Sequence, residues 1–218
     1  MPKALVSFFS ENTNKFYRLV ETRDLPFLEI SGIRMHCTGE SVRKSTHAMV
    51  SQLFPLKGKV LDTCAGLGYT AIEIASHAEV EKVFSFEIDS NVLEIARQNQ
   101  FSKELFENKK IFLENADVFL AVKKFPENFF DRILHDPPRF ALAGELYGRP
   151  FYKELFRVLK YGGILFHYTG NPGQKSGRDF KGGVIKRLQE AGFSGMERIP
   201  EAQGIRAKKF EFFAEKRE

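Results

Sequence analysis

From Lys57 onward, short runs of β-branched and aromatic residues alternate with longer amphipathic stretches, the pattern of repeated βα units and hence of a mostly parallel sheet. Strands are predicted near Lys59–Asp62, Lys82–Glu87, Lys110–Leu113, Asp131–His135 and Gly163–His167. Helices are expected between them, over Thr70–His77, Asn91–Gln98, Ala116–Lys123 and Pro150–Leu159. In the second of these, Val92, Ile95 and Ala96 fall at i, i+3 and i+4 while Glu94, Arg97 and Gln98 point elsewhere, so one face can pack on the sheet. Gly192 after Val184–Ala191 marks a helix stop, and Gly195–Ile199 with Lys209–Phe213 would supply a closing antiparallel pair. The pattern ahead of residue 56 is different. Ala4–Phe9, Lys15–Glu21 and Leu25–Ile30 are strand-like runs separated by Asn12-Thr13-Asn14 and by Asp24, which predicts a β-rich extension over 1–55 and a main domain over 56–218. Gly170–Gly177 is linker-like and is expected to form a mobile loop.

A chain of 218 residues with 43% hydrophobic content suits one substantial core plus a small appendage. No run comes near the roughly 18 apolar residues that cross a bilayer, and polar positions follow within ten residues of the start, so the expectation is a cytoplasmic protein with no membrane partner. Cys37 and Cys64 are too few and too far apart for a disulfide framework, and the five histidines show no ligand spacing, so no metal is expected. The net charge of +5 hints only mildly at a polyanionic partner, because 28 acidic residues interleave with 33 basic ones.

Chemistry enters with Val60-Leu61-Asp62-Thr63-Cys64-Ala65-Gly66-Leu67-Gly68-Tyr69-Thr70-Ala71, a strand, a glycine turn and a helix start. Glycines there let the backbone approach a ligand closely, with helix N–H groups facing it. The Gly66-x-Gly68-x-x-Ala71 core also matches the dinucleotide fingerprint, and charge separates the two readings. Asp62, Glu87 and Asp136 stand at strand ends and Asp117 follows the third strand, so four carboxylates are expected on one rim, at the switch point of the sheet. An acidic rim repels a pyrophosphate. It attracts a ligand carrying an ammonium and a sulfonium, by several kcal/mol per contact at about 4 Å and a surface-like dielectric.

These residues resemble a class I methyltransferase over roughly Lys57 to Phe213. The resemblance implies an α/β, Rossmann-like doubly wound, mostly parallel seven-stranded sheet and S-adenosyl-L-methionine as cofactor. It implies that Asp62, Thr63, Cys64, Gly66 and Gly68 line the cofactor, with Asp62 facing the methionine ammonium. Glu87 would take the ribose hydroxyls, Ile88 would flank the adenine and Asp117 would hold its amino group. Cys64 also reads as a small filler of the turn. His135-Asp136-Pro137-Pro138-Arg139-Phe140 resembles the Asp-Pro-Pro-aromatic motif of methyltransferases acting on amino nitrogens. In that motif the Asp136 carboxylate and a backbone carbonyl held by Pro137 and Pro138 accept the hydrogens of the amine. Arg139 stands where the motif has an aromatic residue, and Phe140, one place on, is a candidate stacking surface.

The form Asp62-x-Cys64-Ala65-Gly66-x-Gly68 resembles a turn common in RNA methyltransferases and directs the expected acceptor toward RNA. Carbon-5 cytosine chemistry is disfavoured, because Phe166–Asn171 holds no cysteine nucleophile. His135–Tyr147, Phe166–Gly173 and Met35-His36 also resemble a small archaeal family of predicted methyltransferases. His36, Lys44, His167, Tyr168 and Asn171 complete the candidate acceptor residues. The alternatives are a methyl acceptor on a protein side chain or small metabolite, an aminopropyltransferase using decarboxylated S-adenosylmethionine, and a non-catalytic adenosyl-nucleoside binding module.

Overall fold

A computed structural model describes residues 4–37, 39–170 and 179–210. Its first four strands, β1 (Ala4–Ser10), β2 (Lys15–Val20), β3 (Phe27–Ile30) and β4 (Ile33–Arg34), form an antiparallel sheet in that order. The β1–β2 turn places Asn14 in the left-handed region (φ 53°), a conformation asparagine tolerates. Next comes α1 (Val42–Ser51), then the units β5 (Gly58–Asp62), α2 (Tyr69–Ser76), β6 (Val80–Glu87), α3 (Ser90–Arg97), α4 (Lys103–Glu107) and β7 (Ile111–Asn115). The second half runs α5 (Val118–Ala121), β8 (Phe130–His135), α6 (Arg149–Val158), β9 (Leu159–Tyr168), α7 (Phe180–Ala191), β10 (Ser194–Ile199) and β11 (Gly204–Lys208).

The main sheet has seven strands in the order β10-β11-β9-β8-β5-β6-β7. Strands β5 to β9 pair in parallel, and β11 and β10 close the sheet antiparallel. This is the Rossmann-like seven-stranded sheet with an N-terminal β extension that the sequence pattern implied. The strand order reverses direction at β5, between β6 and β8, which opens a crevice above the carboxyl ends of those strands.

Both faces of the sheet are buried, so adjacent strand residues enter different layers. On β5, Val60 joins Ile74, Ile95 and Ala96 of α2 and α3, whereas Leu61 joins Phe86, Phe130, Ile133, Phe151 and Leu165 on the other side. The first layer also takes in Tyr17, Leu19, Val20 and Leu28 of the N-terminal sheet, so the extension shares a core with the α2 and α3 side.

Two local expectations are corrected. The 1–55 segment is not wholly β-rich, because Val42–Ser51 is a helix capped by Ser41, whose side chain accepts the Lys44 N–H. The strand that closes the sheet lies at Gly204–Lys208, where Ile205 and Ala207 bury against β9; of the expected run Lys209–Phe213, residues 211–213 lie outside the described residues. The Gly170–Gly177 segment lies, apart from Gly170, outside the described residues, as does Asn171.

Candidate active site

The glycine turn after β5 is fastened to two neighbouring strands. Thr63 N–H donates to Leu134 O of β8 (3.1 Å), and Ala65 N–H to Phe86 O of β6 (2.7 Å). Gly66 and Gly68 have φ of 54° and 81°, which side chains resist. A Cβ on Gly68 would lie 2.5 Å from Leu105 Cδ2, whereas one on Gly66 would meet nothing within 4 Å. Gly68 is therefore required by packing against the protein, and Gly66 leaves open space beside the turn. Behind it, Ser102 Oγ donates to Leu67 O (2.6 Å), and Asn99 Nδ2 donates to Ser102 Oγ (2.8 Å) and to the Tyr69 hydroxyl (2.8 Å). The Tyr69 hydroxyl in turn reaches Pro26 O of the N-terminal extension (3.0 Å).

Three of the four expected carboxylates converge here. Asp62 is fully buried; its Oδ2 accepts Ser85 Oγ–H (2.6 Å) and its Oδ1 accepts Thr70 Oγ1–H (3.3 Å). Burial pushes its pKa up to about 7 against those two hydrogen bonds, and the charge of Glu87 adds to the rise. Asp136, just past β8, is likewise raised to about 7 by burial and then by the charge of Asp62. Glu87 accepts Gly66 N–H at Oε2 (2.9 Å) and Asp89 N–H at Oε1 (3.0 Å), yet burial still raises its pKa. Cys64 feels all three acids; burial first, then those charges, hold its thiol well above the usual range, so it is not a nucleophile. Among the described residues, none of the three acids has an ion-pair partner. Asp117 stands apart: its Oδ1 caps α5 by accepting Phe119 N–H (2.8 Å). Ile88, the residue after Glu87, is an exposed apolar side chain (69%).

Around Asp136 the structure gathers groups that sequence reasoning had not joined. Tyr147 donates from its hydroxyl to Pro138 O (2.9 Å), which pins the Asp-Pro-Pro turn. Its ring and the half-exposed Phe140 meet edge to face at 5.5 Å. Burial and the Asp136 charge keep the phenols of Tyr147 and Tyr168 protonated, and Tyr168 also feels Cys37 and Arg139. Arg139 itself is exposed at the outer edge. Gln203 Nε2 lies 3.0 Å from Cys37 Sγ on the far side of Tyr168.

His135, one residue before Asp136, is fully buried. Its Nε2 lies 3.0 Å from the carbonyl of Leu146, an acceptor, so Nε2 carries the proton and Nδ1 accepts Thr63 Oγ1–H at 2.8 Å. One neutral imidazole thus ties the glycine turn to the segment that presents Tyr147. Burial holds its pKa down near 3. His167 packs on it with ring centroids 4.3 Å apart and is equally enclosed. Its Nε2 meets the Tyr152 hydroxyl at 2.9 Å, and its Nδ1 has no hydrogen-bond partner among the described residues. Alternation along β9 turns His167 into the core, behind the rim, and leaves Tyr168 to face Asp136. His36 is also turned inward: its Nδ1 accepts Leu28 N–H (3.3 Å), its ring lies 5.8 Å from Tyr69, and burial lowers its pKa to about 4. Lys44 lies on the surface, bound to Glu40 at 2.9 Å. His135 and Tyr147 had no signal in the chain beyond residue type, because their roles depend on partners supplied by other elements.

The open space at Gly66, the exposed Ile88 beside Glu87, and three acids without an ion-pair partner among the described residues fit a positively charged adenosyl group. The Spermine/spermidine synthase domain family matches residues 48–177, more than half of the chain. The chain belongs to that family. An uncharacterized protein of Methanocaldococcus jannaschii is 48% identical over 202 residues, covering 91% of this chain and 68% of that one. The polyamine aminopropyltransferase of Prochlorococcus marinus is 29% identical over 138 residues, 61% of this chain and 47% of that enzyme. A solved spermidine synthase bound to the transition-state analogue AdoDATO superposes with a TM-score of 0.74 at 24% identity, over 94% of this chain and 72% of that one, a likeness of fold. The chain thus spans less than half the length of the aminopropyltransferase it matches by sequence. Membership of the spermine/spermidine synthase family supports the aminopropyltransferase alternative better than the expected RNA methyltransferase. An RNA acceptor has no support among these relatives, and the Asp-Pro-Pro resemblance does not extend to family membership. Among the described residues, no helix is long and apolar enough to cross a membrane and no cluster of potential metal ligands occurs.

Proposed function

We propose that the protein transfers an aminopropyl group from decarboxylated S-adenosylmethionine to an amine acceptor. In this reading residues 56–218 form the catalytic domain and residues 1–55 an extension that supports it. The observation that carries the reading is the repulsion among Asp62, which is buried, and the half-buried Glu87 and Asp136, which have no ion-pair partner among the described residues. A donor with a sulfonium, an ammonium and no carboxylate relieves that repulsion most fully. Intact S-adenosylmethionine would add a fourth negative charge to the cluster. An amine acceptor suits the same rim, since Asp136 and the phenol oxygens of Tyr147 and Tyr168 can all accept N–H bonds.

Decarboxylated S-adenosylmethionine supplies an electrophilic methylene carbon on the sulfonium. The acceptor amine must first lose its proton, and Asp136, with a pKa near 7, is matched to take it at neutral pH. The nitrogen lone pair then forms the new N–C bond as the C–S bond breaks, the sulfonium becomes a neutral thioether, the alkylated nitrogen leaves as an ammonium ion, and Asp136 returns its one proton to solvent. Pro137 and Pro138 keep the presenting turn rigid, so the reaction relies on in-line positioning.

The test offers the purified protein decarboxylated S-adenosylmethionine with a series of diamines and triamines and reads 5′-methylthioadenosine and the alkylated amine by mass spectrometry. Formation of both supports the assignment. S-adenosylhomocysteine from the intact donor, with no 5′-methylthioadenosine from the decarboxylated one, would overturn it in favour of methyl transfer.

A further inference from the structure

The carboxylate read as holding the ribose is connected by hydrogen bonds to the N-terminal sheet. Tyr17 on β2 is fully buried, and its ring stacks on Phe8 at 5.4 Å. Its hydroxyl donates to Asp89 Oδ2 at 2.6 Å and lies 3.0 Å from Thr13 Oγ1. Asp89 is 72 residues further along the chain, in the turn between β6 and α3. Its Oδ1 accepts the backbone N–H and Nδ2–H of Asn91 (3.0 and 2.9 Å), and its own N–H donates to Glu87 Oε1 (3.0 Å). Glu87 Oε2 is held by Gly66 N–H (2.9 Å). A short chain of contacts therefore runs from the extension through Tyr17, Asp89 and Glu87 to the glycine turn.

We infer that Tyr17 is a positioning residue for the nucleoside: its hydroxyl fixes the Asp89 turn and so sets the orientation of the Glu87 carboxylate. This rests on reading Glu87 as a nucleoside ligand. Packing alone does not require a phenol, because a phenyl ring would stack on Phe8 equally well. What the hydroxyl adds is a charge-assisted hydrogen bond to a carboxylate in a partly buried setting, among the stronger contacts available to a side chain. The remaining lone pairs of Glu87 then face the crevice in one orientation, and a ligand need not order the loop itself.

The experiment measures binding of 5′-methylthioadenosine and S-adenosylhomocysteine by calorimetry to wild type, Tyr17→Phe, Asp89→Asn, Glu87→Gln and the Tyr17→Phe/Glu87→Gln double variant. Tyr17→Phe should weaken binding about five- to tenfold. Turnover at saturating donor and the KM for the acceptor should stay at wild-type values. Asp89→Asn should weaken binding in the same direction. In the Glu87→Gln background Tyr17→Phe should have no further effect, since the hydroxyl acts through that carboxylate. Wild-type affinity in Tyr17→Phe, or a full additive loss in the double variant, would overturn the role of Tyr17 alone. Failure of the wild type to bind either thioether would instead overturn the nucleoside reading of the site.

Discussion

Asp136 and Asp62 show how position changes the acidity of an ordinary carboxyl group. Each sits at or just past a strand end, where the sheet delivers side chains to a common rim, and each is pushed up to about 7 mainly by burial. Those acids were legible in the chain, because strand ends can be read from periodicity and a carboxylate at such an end has few places to go. Their surroundings were not legible. Tyr147 comes from a short helical turn eleven residues past Asp136, and His135 acquires its role only when Thr63 and Leu146 are folded against it. Asp136→Asn keeps the shape of the side chain but cannot accept a proton. We expect turnover to fall by about 10²- to 10⁴-fold, the range of a lost general base, with thioether affinity within a few-fold of wild type. The rate profile of the wild type should climb through an apparent pKa near 7, set jointly by the coupled acids, as Asp136 becomes able to accept a proton. Steady-state kinetics between pH 5.5 and 8.5 decide it, and an Asp136→Asn enzyme with unchanged turnover would remove Asp136 from the chemistry.

Among the elements, the glycine turn is the most exacting. Gly68 combines a φ of 81° with a Cβ position only 2.5 Å from Leu105 of α4. Gly68→Ala therefore incurs both backbone strain and overpacking, and should destabilise by about 2–4 kcal/mol in urea unfolding. Adding Leu105→Ala removes the clash but not the strain, and leaves a cavity of its own. The double variant should thus lose less than the sum of the two single losses, and strict additivity would show that the two positions do not meet. The strands and most helices of the main domain could be read from the chain within a few residues. The short α4 of the main domain was not predicted, nor, in the extension, was α1, whose buried positions Val42, Ser45, Thr46, Met49 and Val50 have helical spacing but include two hydroxyl residues. Those side chains bond back to Val42 O, at 3.0 and 2.8 Å, which lets them be buried and at the same time erases the apolar stripe that pattern reading depends on. The strand β11 was misplaced for a related reason. Lys209-Phe210 begins a more aromatic run, yet Lys209 is itself buried, its ammonium held by Asn128 Oδ1 (2.9 Å) and Phe156 O (2.8 Å), and the strand ends before it.

Across the whole molecule, the site acids and the buried histidines act on stability in opposite directions. A carboxyl whose folded pKa is raised holds a proton that the unfolded chain has already released, so Asp62 and Asp136 make stability fall as pH rises from about 4 to about 7, and Glu87, also raised, acts in the same direction. His36, His135 and His167 are held below their ordinary pKa by burial. The unfolded chain binds those protons first, so the histidines make stability rise with pH over much of the same range, up to about 6.5. The two sets offset each other, and the wild-type profile should be shallow between pH 4.5 and 6.5. Replacing one acid exposes the imbalance. The unfolding free energy of Asp136→Asn, relative to wild type, should rise by about 2–4 kcal/mol between pH 4.5 and pH 8, because the variant no longer confines that charge. A cationic donor relieves the same repulsion without a mutation, so its stabilisation of the wild type should be larger at pH 8 than at pH 5 and should shrink in Asp136→Asn. Urea denaturation of wild type and Asp136→Asn at pH 4.5, 5 and 8, with and without donor, measures these differences. A relative stability of Asp136→Asn that does not change with pH would mean that the carboxylates do not repel one another, and the electrostatic case for a cationic ligand would fall with it.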